Sequence, residues 1–153
     1  MKITYRGDYA MKAVFYLAIN YYEKGGVLSI SQIAELGDMP EKFLEQILLG
    51  LRRGGFVDSK RGVNGGFFLA KKPNMITVGD IIRCIEGPID PIACTESDHY
   101  KGCKDVAKCI FRDVWKEVRS AISIVVDTLT FEELVKRHKA RHLSMKGIYE
   151  YSI

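Results

Sequence analysis

The sequence predicts a mainly α-helical protein with one small β-hairpin: a winged helix-turn-helix domain joined to a long helix suited to dimerisation. Three observations carry this expectation. A short helical segment, a glycine-containing turn and a second helical segment with a polar outer face follow one another between Ser29 and Arg53. Two strand-like runs, residues 56–60 and 67–70, then flank a basic stretch rich in glycine and asparagine. Beyond them, apolar residues recur at spacings of three and four from Lys104 to Leu129, and little else in the chain remains to cover them.

The first helix is expected from Asp8 to Glu23. Asp8 can cap it, and Ala10, Met11, Val14, Phe15, Leu17, Ala18 and Tyr21 set a broad apolar face. Gly25 and Gly26 stop it. Ser29 or Ser31 caps the next helix, which runs through Ile33, Ala34 and Leu36 to Gly37. Asp38-Met39-Pro40 opens the third: Pro40 suits a first helical position, and Glu41 favours the positive end of the helix dipole. Phe43, Leu44, Ile47, Leu48 and Leu51 form its apolar stripe, Arg52 and Arg53 lie in its last turn, and Gly54-Gly55 end it. Arg61-Gly-Val-Asn-Gly-Gly66 tolerates positive φ and makes the basic tip of a hairpin, the wing.

A fourth helix is expected from Thr77 to Glu86, with Val78, Ile81, Ile82 and Ile85 inward and Gly87-Pro88 beyond. Cys84 on this helix reads as a small core residue. An irregular loop follows, from Pro91 to Gly102. On the long helix, Val106, Ile110, Val114, Val118, Ala121, Val125 and Leu129 form a stripe that Trp115, Ile122 and Val126 widen. The same helix of a second subunit is the economical cover for such a stripe; packing within one chain is the alternative. Thr130 to Lys136 suits a short closing helix, and a polar, basic tail turns aromatic at Tyr149 and Tyr151. The expected division is a winged domain over 1–75, a connecting helix, cysteine loop and dimerisation helix over 76–135, and a tail over 136–153.

At 153 residues, 47% hydrophobic and 27% charged, the chain has the composition of a soluble globular protein. Its first residues hold no long apolar run, and no segment approaches the ~20 apolar residues that span a bilayer. A cytoplasmic protein without membrane association is expected. The net charge of +4 belongs to the first half, where residues 1–72 carry 11 Lys/Arg against 7 Asp/Glu. Arg52, Arg53, Lys60, Arg61, Lys71 and Lys72 cluster there, opposed only by Asp58. Such a patch fits either a polyanion partner or a solvated face.

Cys94, Cys103 and Cys109 are separated by eight and then five residues. Clustered thiols in a reducing compartment more often mean a metal site or redox device than disulfides. No nucleophile–base constellation or phosphate-binding glycine loop is present, so no enzyme is expected. An iron–sulfur electron carrier is the alternative from another class, and it leaves the basic hairpin unexplained.

Lys2-Ile-Thr-Tyr-Arg-Gly-Asp-Tyr-Ala10, Phe43-Leu-Glu-Gln-Ile47, Leu51-Arg-Arg-Gly-Gly-Phe-Val57 and Arg61-Gly-Val-Asn-Gly-Gly-Phe67 resemble motifs of the Rrf2 family of bacterial transcriptional regulators. Val78-Gly-Asp-Ile-Ile82 and Glu86-Gly-Pro88 extend the resemblance, which covers residues 1 to about 135. It implies a homodimeric repressor on a roughly palindromic double-stranded DNA operator, with one helix in each major groove and the wings in adjacent minor grooves. Pro40, Glu41, Lys42, Glu45 and Gln46 would then form the outer face of the recognition helix. Glu45, which can accept from cytosine N4, and Gln46, which can pair with adenine, match the family motif. Arg61 matches the wing arginine that enters the minor groove, and Asn64 shares that tip. Lys60, Arg52 and Arg53 suit phosphates, or for the arginines the helix end.

The three cysteines match, in order, those that hold an iron–sulfur cluster in part of this family, and the resemblance therefore implies a 2Fe-2S or 4Fe-4S cluster. The first gap is longer here than is usual in those members. Zinc is the chemical rival, because three thiolates with a carboxylate or imidazole also suit it. In the biogenesis repressors a histidine follows the third cysteine by three positions; here that position is Arg112, which cannot ligate. The nitric-oxide sensors use an aspartate at the first helix, where Asp8 stands, either as ligand or as helix cap; His99 in the loop is a further candidate. Residues 80–91 and the tail Tyr149-Glu-Tyr-Ser-Ile153 also resemble the family's cysteine-metabolism repressors, which implies cysteine synthase as a partner of the tail. A merely frayed tail is the alternative.

Overall fold

The first helix is capped by Thr4, four residues ahead of Asp8, in a computed structural model that describes residues 3–96 and 100–150, with side chains as far as residue 143. The Thr4 hydroxyl accepts from the Arg6 N–H at 3.2 Å, so α1 runs Tyr5–Glu23 and Asp8 lies inside its first turn. Asp8 therefore does not cap the helix; its carboxylate pairs instead with Lys12 at 2.9 Å. Thr4 wins because its own backbone is extended, as a cap requires, and because Glu86 accepts from its N–H and hydroxyl at 3.2 and 2.6 Å.

After α1 come α2 (Ile30–Gly37), α3 (Glu41–Arg53), the strands β1 (Val57–Lys60) and β2 (Gly66–Leu69), and α4 (Val78–Glu86). Two longer helices follow, α5 (Ile110–Thr128) and α6 (Phe131–Glu150). The architecture is mainly helical with one antiparallel hairpin, the class that the sequence predicts. Val14, Leu17, Ile33, Leu44, Ile47, Leu48, Leu51, Val57, Ile76, Ile81 and Phe131 are its buried centre. Each such side chain contributes about 1.5–3 kcal/mol by leaving water. Tyr21, Leu36 and Phe43, expected on apolar faces, are exposed, and Asn20 is buried because its amide bonds the carbonyl of Gly25 at 3.0 Å.

α5 begins at Ile110 rather than Lys104, because residues 104–108 form turns. α6 is far longer than the short closing helix expected at residues 130–136. Its first turn is pulled into the winged domain: Phe131 is fully buried, its N–H bonds Ile76 O at 3.0 Å, and Val78 N–H bonds Leu129 O at 2.9 Å. The expected docking tail falls partly on Tyr151–Ile153, which lie outside the described residues. α5 packs on α4, yet its outer face stays bare, with Ile110, Phe111, Ile124 and Val125 between 62% and 73% exposed.

Candidate nucleic-acid interface and cysteine loop

Ser29 and Gln32 close a capping box that starts α2: Ser29 Oγ accepts from Gln32 N–H at 3.2 Å, and Gln32 Oε1 accepts from Ser29 N–H at 2.8 Å. The turn that follows is set by Asp38, at φ 49°, whose N–H bonds carbonyls of the last turn of α2. Gly37 is the last residue of α2, and Met39 packs where its Cβ would stand. Pro40 is the residue just before α3 and not its first helical position. Leu44, Ile47, Leu48 and Leu51 bury one side of α3. Glu41, Lys42, Glu45 and Gln46 are exposed on the other, with Pro40 also exposed at its start. Phe43 sits at the boundary, where it lines a cleft of about 530 Å³ with Tyr5, Arg6, Tyr9 and Gln46.

The wing pairs Val57 with Leu69 and Lys60 with Gly66. Gly62, at φ 117°, turns the tip, which leaves Arg61 and Asn64 exposed. A contact that local reading misses anchors this hairpin: Leu28 and Phe67 exchange backbone hydrogen bonds of 2.9 and 2.7 Å. Gly66 permits that approach, because any side chain there would meet the Leu28 carbonyl. Arg52 is half-exposed and pairs with Asp58 of β1 at 3.3 Å, which ties the end of α3 to the wing. Arg53 and Lys60 are exposed, and Lys71 lies 4.5 Å over the Phe56 ring.

All four cysteines are free thiols. Cys84 is half-buried, with Sγ 3.8 Å from Gly50 O, and burial pushes its thiol pKa up against the opposing pull of Arg6 and Lys71. That agrees with a core role. Cys94 lies in a 3-10 turn, Ala93–Thr95, and is half-buried; Cys103 is exposed; Cys109 is half-buried at the N-terminus of α5. Among the described residues, no group of three or more His, Cys, Asp or Glu side chains converges on one point. Within one chain, Cys94, Cys103 and Cys109 are thus not gathered into one cluster, with or without Asp8, and His99 lies outside the described residues. The donor chemistry, three free thiols, fits a thiolate-seeking metal centre.

What sequence reasoning missed is the framework around Cys94. Arg112 is 9% exposed, and its Nε–H bonds Cys94 O at 2.9 Å. Arg119 Nη1–H bonds Thr95 O at 2.8 Å, and its Nε meets Asp90 at 3.0 Å. The available signal was two arginines seven apart, and so nearly on one face of an otherwise apolar helix.

A helix-turn-helix with a polar-faced second helix and an arginine-tipped wing defines a DNA-binding transcriptional regulator. The chain belongs to the Rrf2 family, described as iron-dependent transcriptional regulators, which it matches over residues 3–137. The HTH-type transcriptional regulator CymR of Bacillus subtilis is 38% identical over 134 residues, 88% of this chain and 89% of CymR. IscR of Aliivibrio salmonicida is 31% identical over 144 residues, 94% of this chain and 83% of IscR. Among solved structures, that of CymR, the global cysteine regulator of B. subtilis, superposes with a TM-score of 0.73 at 34% identity, covering 90% of this chain and 98% of that one. T. potens IscR superposes with a TM-score of 0.70 at 33% identity, covering 90% and 88%. No helix among the described residues is long and apolar enough to cross a membrane.

Proposed function

We propose that this regulator is a homodimeric repressor whose operator affinity is set by redox, nitric oxide or iron–sulfur status at Cys94, Cys103 and Cys109. The bare apolar face of α5 supports the dimer, since a stripe including Ile110, Val114, Val118 and Val125 needs a cover that the described residues do not supply. The exposed face of α3 reads bases through Glu45 and Gln46, with Glu41, Lys42 and Pro40 at its edge. Arg61 and Asn64 at the wing enter the minor groove, and Lys60 meets phosphate.

The observation that carries the sensing half is a continuous set of polar ties. The Cys94 turn is bonded to α5 by Arg112 and Arg119. α5 is bonded to α4 by Arg83 and Asp127, and α4 to the first turn of α1 by Glu86 and Thr4. The ties end on α4 and α1, both of which pack against α3, so a rearrangement at the loop has a route to the helix that carries the recognition surface. When bound, an iron–sulfur cluster supplies a centre that reacts with oxidants and nitric oxide, held by the three thiolates with Asp8, from the same or the second subunit, as candidate fourth ligand; zinc is the alternative. The test is operator binding by holo and apo protein, with iron and sulfide analysis and a visible spectrum of anaerobically purified material. Equal affinity of the two forms overturns the sensing mechanism, and a colourless, zinc-containing protein overturns the cofactor.

A second reading is favoured by the similarity to CymR: a regulator of cysteine or sulfur metabolism with cysteine synthase bound at the C-terminal tail. A pull-down with cysteine synthase, with and without Ile153, separates the two.

A further inference from the structure

Arg112 stands in the first turn of α5, the helix that Cys109 precedes, and reaches back to the turn that bears Cys94. Its side-chain Nε–H bonds Cys94 O at 2.9 Å, and its backbone N–H bonds Cys109 O at 3.1 Å. Two turns along α5, Arg119 holds the next carbonyl, Thr95 O, at 2.8 Å and the Asp90 carboxylate at 3.0 Å. That carboxylate side chain is only 9% exposed, and Thr95 is 2% exposed, with its hydroxyl 2.7 Å from Ile92 O and 3.1 Å from Asp90 Oδ1. The Asp90–Thr95 turn is therefore gripped at consecutive carbonyls by two guanidinium groups on one helix face. Burying an arginine is expensive unless its donors are satisfied in a fixed geometry, and a planar guanidinium suits that task better than a flexible ammonium. Cys103, by contrast, is exposed on the intervening loop.

We propose that Arg112 and Arg119 are positioning residues of the cysteine loop, which hold the turn bearing Cys94 against α5, the helix that Cys109 precedes, in advance of any metal. The proposal rests on the sensing reading for its purpose, but not for its test. Advance ordering of the backbone that carries Cys94 removes part of the ordering cost of binding a thiolate-seeking metal.

The test is pulsed alkylation of the reduced, metal-free full chain with iodoacetamide, read at each cysteine by mass spectrometry. Cys103 is expected to label fastest. In Arg112→Ala the Cys94 rate rises ~10-fold, the scale of one lost hydrogen bond from a charged group, while Cys103 and Cys84 keep theirs. Arg112→Lys restores most of the protection, and Arg119→Gln raises the Cys94 rate alone. A Cys94 rate unchanged in all three variants overturns the proposal. If Arg112→Ala also exposes Cys84, the chain has unfolded, and the Lys and Gln variants, which keep the buried volume, decide. A parallel Co²⁺ titration, followed through thiolate-to-cobalt absorption, should need ~10-fold more metal in Arg112→Ala. A wild-type chain that takes up neither Co²⁺ nor iron overturns the sensing reading and leaves the alkylation result standing.

Discussion

Arg83 and Asp127 meet through two parallel hydrogen bonds, Nη1 to Oδ1 at 2.7 Å and Nη2 to Oδ2 at 2.8 Å. The pair joins the last turn of α4 to the last turn of α5. Hydrogen bonding to Arg83 holds the Asp127 carboxyl below its ordinary value, and the same contact raises Arg83. Both side chains are 41% exposed, so solvent screens the pair. Arg83→Ala should cost about 0.2–1 kcal/mol by denaturant titration at neutral pH. Because the folded-state value is depressed, the contribution of Asp127 stands above the ordinary aspartate range and is lost as pH falls through and below it. Acid titrations of wild type and Arg83→Ala should therefore converge at the acid end; parallel curves throughout would contradict this.

Gly79 makes room for that pair. A side chain there would overlap the Asp127 carboxylate and crowd Arg83 and Val126. Gly79→Ala is expected to destabilise by about 1–3 kcal/mol, as forced overpacking does. In an Asp127→Ala background the penalty should shrink, since the main obstruction is gone. Additive losses in this double-mutant cycle would show that the clash does not run through Asp127.

Base reading and phosphate contact predict different mutant behaviour. Glu45→Ala should cost about 1–3 kcal/mol on the native operator and relax preference at one base pair. Lys60→Ala should weaken all sequences alike and lower the slope of log affinity against log salt by ~1. Titrations of the native operator and a scrambled duplex at several salt concentrations check both. Arg52→Ala should cost stability as well as affinity, because Arg52 is already engaged with Asp58.

The docking of α6 on α1 is expected to weaken at acid pH through His138. Its ring packs edge-on against Phe15 at 5.3 Å between centroids, and His142 lies 4.3 Å away. Burial holds its pKa below the ordinary value, His142 pushes the same way, and Glu23 opposes. Lys12, Arg137 and Arg141 line the same surface depression, and Lys139 pairs with Glu23 at 3.8 Å. The unfolded chain takes up this proton more readily, so stability is full above the unfolded histidine value of about 6.5 and falls as pH drops through it toward the lower folded value. Melting temperatures from pH 7.5 to pH 5.5 should fall more steeply for wild type than for His138→Leu. Identical slopes would remove His138 from the account.

Legibility followed the range of the interactions. The capping box of Ser29 and Gln32, the buried side of α3 and the paired strands of the wing are local patterns. Residues within a few positions of one another set them, and they stand within a residue or two of where the sequence places them. Thr4 and not Asp8 caps α1, because the contact that favours Thr4 comes from Glu86, 82 positions away. The long helix starts later than its apolar spacing suggests: the spacing continues through Val106, while residues 104–108 turn. Phe43 lies on the apolar stripe yet is exposed, because its edge of α3 borders an open cleft.

By itself, the sequence determined the class of protein, the order of its elements, the polar face of α3, the basic tip of the wing and the run of thiols. Periodicity and turn chemistry suffice for these, since they act between residues already close along the chain. Only the tertiary structure decided that Arg52 is occupied by Asp58, that Leu28 anchors the wing, that Phe131 draws α6 into the core, and that Arg112 and Arg119 hold the turn bearing Cys94. Each of these joins groups on different elements, most of them distant in sequence, whose partners become definite only once the apolar residues have been buried together and the remaining polar groups must find hydrogen bonds where they lie.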